Sequence, residues 1–184
     1  MKLLKPLIVP WMVAPSCPNL TLTASESGEH EIEFSGFFGF EPSCAAPMES
    51  IIVDEGTLKV NPNEKSATYQ LISLKFDLVG WFKRSPQFSD EEVIKESDYD
   101  WSFVPGYYRD EENLAEWLRL QQQDWEKTRI CNNPGVYIVE NSDWNIGPDK
   151  ERFSLKHFLI VGELSYIEIM AKSCIWESRG NLSR

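Results

Sequence analysis

The chain has 184 residues, 42% of them hydrophobic and 26% charged, which is the make-up of a globular domain long enough to bury a core. Its 18 Lys and Arg stand against 29 Asp and Glu, a net charge of −11, so it lacks the positive field that phosphate backbones and anionic membranes require, and neither nucleic acid nor membrane is expected as a partner. No apolar run approaches the ~18 residues that span a bilayer.

Lys2 and Lys5 precede the apolar run 7–13, which Pro10 interrupts. An edge strand tolerates such a proline; a lipoprotein-type signal ending at Ala14-Pro15-Ser16-Cys17 is the alternative. Ile32, Phe34, Gly36, Phe38 and Phe40 share one parity while Glu31, Glu33 and Ser35 take the other, the pattern of a strand with one buried face. Gly36 and Gly39 mark a bulge or the close approach of another backbone. Residues 41–47 form a loop, and short strands are expected at 51–53 and 58–60 before a turn at 61–63. Residues 68–82 read as one long antiparallel strand, with Ile72, Leu74, Phe76, Leu78 and Phe82 on its apolar face.

Ser89 and Glu92 have capping-box spacing for a short helix reaching about residue 96. Asp110, Glu111 and Glu112 open a longer one, about 110–127, whose apolar stripe is Leu114, Trp117, Leu118 and Trp125. Asn132-Asn133-Pro134-Gly135 is a turn and 136–140 a strand. The last element is a hairpin, 153–161 and 164–176, turned by Gly162-Glu163. That turn sets His157 opposite Glu168 and leaves a frayed tail at 177–184. The fold class is thus α+β, with mainly antiparallel sheet or sheets, one substantial helix and a C-terminal β-hairpin. It is expected as a single domain over 1–184, β-rich over about 1–84, with the helix and hairpin over about 89–178.

No motif carries catalysis. Cys17, Cys44, Cys131 and Cys174 are too far apart to seed a zinc site or a dense disulfide framework. They read as reduced thiols of a cytoplasmic protein. The glycines fit no nucleotide loop, and the acids lack the EF-hand pattern. No metal, cofactor or catalytic residue is therefore expected. A His157–Glu168 pair could still form half of an acid–base site, although a cross-strand pair that only holds the sheet has the same signature.

The distinctive feature is the segment 90–116, with ten acidic residues against two basic ones and interleaved aromatic rings. Six of the acids lie where helix starts favour negative charge. Around the others, Glu96, Asp98, Tyr99, Asp100, Trp101, Phe103, Tyr107 and Tyr108 form a candidate partner-binding surface, since acids attract a cationic partner and aromatics grip it. The sequence points to a small acidic protein-binding module, in one form an inhibitor or immunity-type protein against a basic toxin or nuclease. The alternatives are a hydrolase or transferase built around His157 and Glu168, or a structural subunit of a larger assembly.

Overall fold

The computed structural model describes residues 1–14, 20–25, 30–38, 52–53, 56–57, 69–86, 96–104, 114–145, 147–162 and 165–181. The N-terminal half runs through β1 (Lys2–Pro6), β2 (Met12–Val13), β3 (Thr21–Ala24), β4 (His30–Phe37), β5 (Ile52–Val53), β6 (Gly56–Thr57), β7 (Tyr69–Asp77) and β8 (Trp81–Pro86). A 3₁₀ turn (Glu96–Asp98) leads into β9 (Tyr99–Asp100), then α1 (Leu114–Thr128), β10 (Val136–Glu140), α2 (Asp149–Arg152), β11 (Lys156–Val161), β12 (Ser165–Ala171) and β13 (Ser173–Asn181). The fold is mostly β. One sheet has the order β8-β12-β11-β10-β1-β9, and a second has β13-β7-β4-β2 with β3 also on β4. Pairing is antiparallel except between β1 and β9, so the first sheet is mixed.

Alternation along the strands decides what lies in the main core. Ile32 and Phe34 of β4, Ile72, Leu74 and Phe76 of β7 and Trp176 of β13 pack with Phe158 and Ile160 of β11 and Ile167 and Ile169 of β12. Each fully buried side chain of this size contributes roughly 1.5–3 kcal/mol. Trp11 sits at the centre, fully buried, its ring edge-on to Phe34 at 5.2 Å and to Trp176 at 5.5 Å. At Gly36 a side chain comes close where a bulge or another backbone was expected: a Cβ there would fall inside van der Waals contact with Cγ1 of Ile72. Gly39 lies outside the described residues.

Two long ribbons cross from one sheet to the other at the same corner. The expected single strand 68–82 breaks at Leu78, whose φ of 48° lies in the left-handed region, so β7 stays in the second sheet and β8 enters the first. Beside it, β12 passes to β13 in the opposite direction. The corner is closed by Gly80 N–H to Met170 O at 2.8 Å and Lys172 N–H to Asp77 O at 3.0 Å. Apolar alternation alone did not reveal the bend, and the expected buried face does not continue through it: Leu78 is 44% exposed and Phe82 48%. The expected frayed tail is likewise corrected, since β13 stays paired with β7 as far as Asn181.

The N-terminal segment makes a third crossing. β1 is bracketed by β10 and β9. Of the edge strand expected over 7–13, only β2 (Met12–Val13) is strand, at the end of the second sheet's order. The run after β1 is interior: Leu7, Val9, Trp11 and Val13 all enter the main core. Helix α1 begins at Leu114. The side chains of Leu114, Trp117 and Leu118 fall outside the description, as does the helix expected from Ser89, but Trp125 is buried. Its Nε1–H donates to Pro10 O at 2.9 Å and its ring meets Phe37 at 5.9 Å.

A second, smaller core covers the outer face of the six-stranded sheet. Leu4, Tyr137, Val139, Leu159 and Tyr166 rise from the sheet, and Tyr99, Trp101 and Val104 close over them. The polar cluster lies in this layer.

Candidate functional site

The hairpin of β11 and β12 pairs His157 with Met170, Leu159 with Glu168 and Val161 with Tyr166. His157 is therefore not directly opposite Glu168, and the turn is not Gly162-Glu163. Gly162 N–H reaches Ser165 O at 2.9 Å, while residues 163–164 lie outside the description. Gly162 serves packing instead: a Cβ on it would press on Leu20 at 2.8 Å. Moving a turn by one residue shifts every partner by two, which preserves the face each side chain takes. His157 and Glu168 thus remain diagonal neighbours on one face, within reach of long side chains.

Both are buried, and a ring of donors converges on the carboxylate. Tyr99 O–H donates to Glu168 Oε1 at 2.5 Å, and His157 Nε2 stands 3.2 Å from the same oxygen. That second contact has ion-pair distance without the alignment of a good hydrogen bond. Lys83, paired with Glu168 across β8 and β12, holds its Nζ 3.6 Å from Oε2, which accepts no hydrogen bond among the described residues. Burial is the largest influence on Glu168 and pushes its carboxyl upward. The short contacts from His157 and Tyr99, with the charges of His157 and Lys83, outweigh it and hold the group below the usual carboxylate range. Burial, then the contact with Glu168, drives the Tyr99 phenol far upward, so it stays a donor.

The other side of the imidazole is equally occupied. His157 Nδ1 lies 2.8 Å from Ser142 Oγ, which also accepts Trp144 N–H at 3.2 Å, while the Trp144 ring stacks on the imidazole at 4.6 Å and 23°. The protonation of the imidazole sets which of Ser142 Oγ and Nδ1 donates in that contact. Ser142, His157 and Glu168 are the residue types of a nucleophile–base–acid relay. Here Nδ1 is held by Ser142, Nε2 stands at ion-pair distance from Glu168, the His157 side chain is 0% exposed and the Trp144 ring stacks on it. The arrangement favours holding the sheet over moving protons.

The expected partner-binding residues divide. Tyr99 and Trp101 are 4% and 2% exposed, respectively, so they are corrected from surface anchors to core residues. Asp98-Tyr99-Asp100-Trp101 alternates with period two, and that alternation was the available signal for a strand burying its rings. Asp98 is exposed and Asp100 partly so, while Phe103 is 60% exposed at the tip. Asp100 Oδ1 accepts Ser102 N–H at 2.9 Å, and that backbone donor keeps its carboxyl below the ordinary range. Tyr107, Tyr108 and the side chain of Glu96 lie outside the description.

Sequence reasoning missed Ser142, Trp81 and Trp144, which no local motif singles out. Trp81, Phe82, Lys83, Trp144 and Asn145 line a cleft of about 430 Å³ beside the polar cluster. A second, about 390 Å³, is bordered by Ser142, Lys150, Lys156 and His157. Among the described residues no group of three or more His, Cys, Asp and Glu could hold a metal ion. Cys131 and Cys174 are buried free thiols, and burial raises both, Cys131 to about 12. No described helix is long and apolar enough to cross a membrane. No protein-family model, curated protein or solved structure matches the chain.

Proposed function

We propose that this chain is a small acidic protein-binding module that docks a basic partner at the edge carrying Asp98, Asp100 and Phe103. The observation that carries the reading is Phe103, a large ring 60% exposed within three residues of Asp100 and five of Asp98. Exposed aromatics with a polar rim are the composition of a docking patch. The chain's charge of −11 supplies the long-range field that steers a cation toward it. A hydrolase or transferase centred on His157 has less support, because its side chain is fully buried under the stacked Trp144 ring.

A photoreactive phenylalanine analogue at position 103 tests this reading, with the same analogue at Ile175, another exposed apolar position, as control. A discrete basic protein crosslinked at 103 but not at 175, and lost at high salt, supports the proposal. Equal crosslinking at both positions, or none, contradicts it.

A further inference from the structure

The cleft beside the polar cluster has its own chemistry, separate from the acidic edge. Trp81 of β8 pairs with Met170 of β12, and Met170 pairs with His157 of β11, on which Trp144 stacks. Trp81 and Trp144 thus both stand on the outer face of the six-stranded sheet, and both line the cleft. Trp81 is 60% exposed, a large apolar surface for a side chain without a ligand. The volume, about 430 Å³, lies in the ~300–1,000 Å³ range of small-molecule sites.

The polar groups in the wall choose the ligand's charge. Lys83 contributes an ammonium with part of its side chain exposed, and Asn145 an exposed amide. An ammonium in the lining disfavours a cation between the tryptophans and favours an anion. Lys83 is in turn fixed in place beside the buried carboxylate of Glu168. We infer that this cleft binds a planar aromatic carboxylate, its ring against Trp81 and Trp144 and its carboxylate on Lys83.

The test is calorimetric titration of the full chain with naphthoate, with naphthamide as the uncharged isostere and cyclohexanecarboxylate as the non-planar one. Naphthoate should bind saturably at one site, and both comparison compounds should bind at least about tenfold more weakly, a difference of about 1.4 kcal/mol. Trp81→Ala and Lys83→Met should each weaken naphthoate by a similar factor, while Phe103→Ala, at the acidic edge, should leave it unchanged. Trp81 is exposed enough for its variant to fold. Should Lys83→Met fail to fold, the amide isostere measures the same charge contribution. Absence of saturable naphthoate binding, equal affinity for the amide, or undiminished binding to Trp81→Ala overturns the inference.

Discussion

His157 and Glu168 meet at 3.2 Å although neither is the other's backbone partner, since the histidine pairs with Met170 and the glutamate with Leu159. Their contact is diagonal, and Tyr99 O–H completes it on the same carboxylate oxygen. The acid is thus the hub and the histidine one of its spokes, which makes Glu168 the residue to remove.

Glu168→Gln should destabilise the fold by about 3 kcal/mol at neutral pH, because it strips the buried partner of His157 and Lys83. The folded carboxyl titrates below its unfolded value, near 4.5. Its contribution is therefore fully present above that value and lost as pH falls through the lower folded one. Urea denaturation of both proteins from pH 7 to pH 3 should show the stability gap closing at the acid end. A gap that widens on acidification would reverse the sign assigned here.

Ser142→Ala should cost about 1–2 kcal/mol, since it removes both the hydrogen bond to the imidazole and the acceptor of Trp144 N–H, and an alkyl fluorophosphonate should leave Ser142 unlabelled. Mass spectrometry of the treated protein reads the second outcome directly. Stoichiometric labelling at Ser142 would favour the hydrolase reading.

Gly36→Ala should destabilise by about 2 kcal/mol through overpacking against Ile72. In an Ile72→Ala background the same change should be nearly neutral, because the clashing Cγ1 is gone. A double-mutant cycle measured by urea denaturation gives the coupling. Additive costs would show that the two positions do not press on each other.

Trp125→Ala should lower stability by about 3 kcal/mol, the usual size for a buried tryptophan. Trp125→Phe should recover part of it while still losing the bond to Pro10 O. Melting curves of the two variants separate packing from hydrogen bonding. Equal melting temperatures for wild type and Trp125→Ala would show that α1 does not anchor the crossing from β1 to β2.

Alternation made much of the framework legible. The apolar parity of Ile32, Phe34 and Phe38, and of Ile72, Leu74 and Phe76, is the parity found in the core. So is the face shared by His157 and Glu168. The bends were hidden, since Leu78 and Phe82 continue the apolar parity of β7 in sequence although the chain turns at Leu78 and leaves both substantially exposed. Register was hidden as well, because Gly162 resembles a turn glycine but is small to admit Leu20. The rings of Tyr99 and Trp101 looked like surface anchors only while their period-two spacing with Asp98 and Asp100 went unweighed. Ser142 and Trp144 reach the cluster from the connection between β10 and β11, and nothing local in sequence announces such a contact.

The most direct test of the docking reading is association kinetics with the basic partner identified by crosslinking at position 103, measured across ionic strength for wild type and for the combined Asp98→Asn and Asp100→Asn variant. If acids steer the encounter, the variant should associate more slowly at low salt, with a flatter salt dependence and a nearly unchanged dissociation rate. Identical association rates and salt slopes for the two proteins would contradict the assignment of this edge as the docking surface.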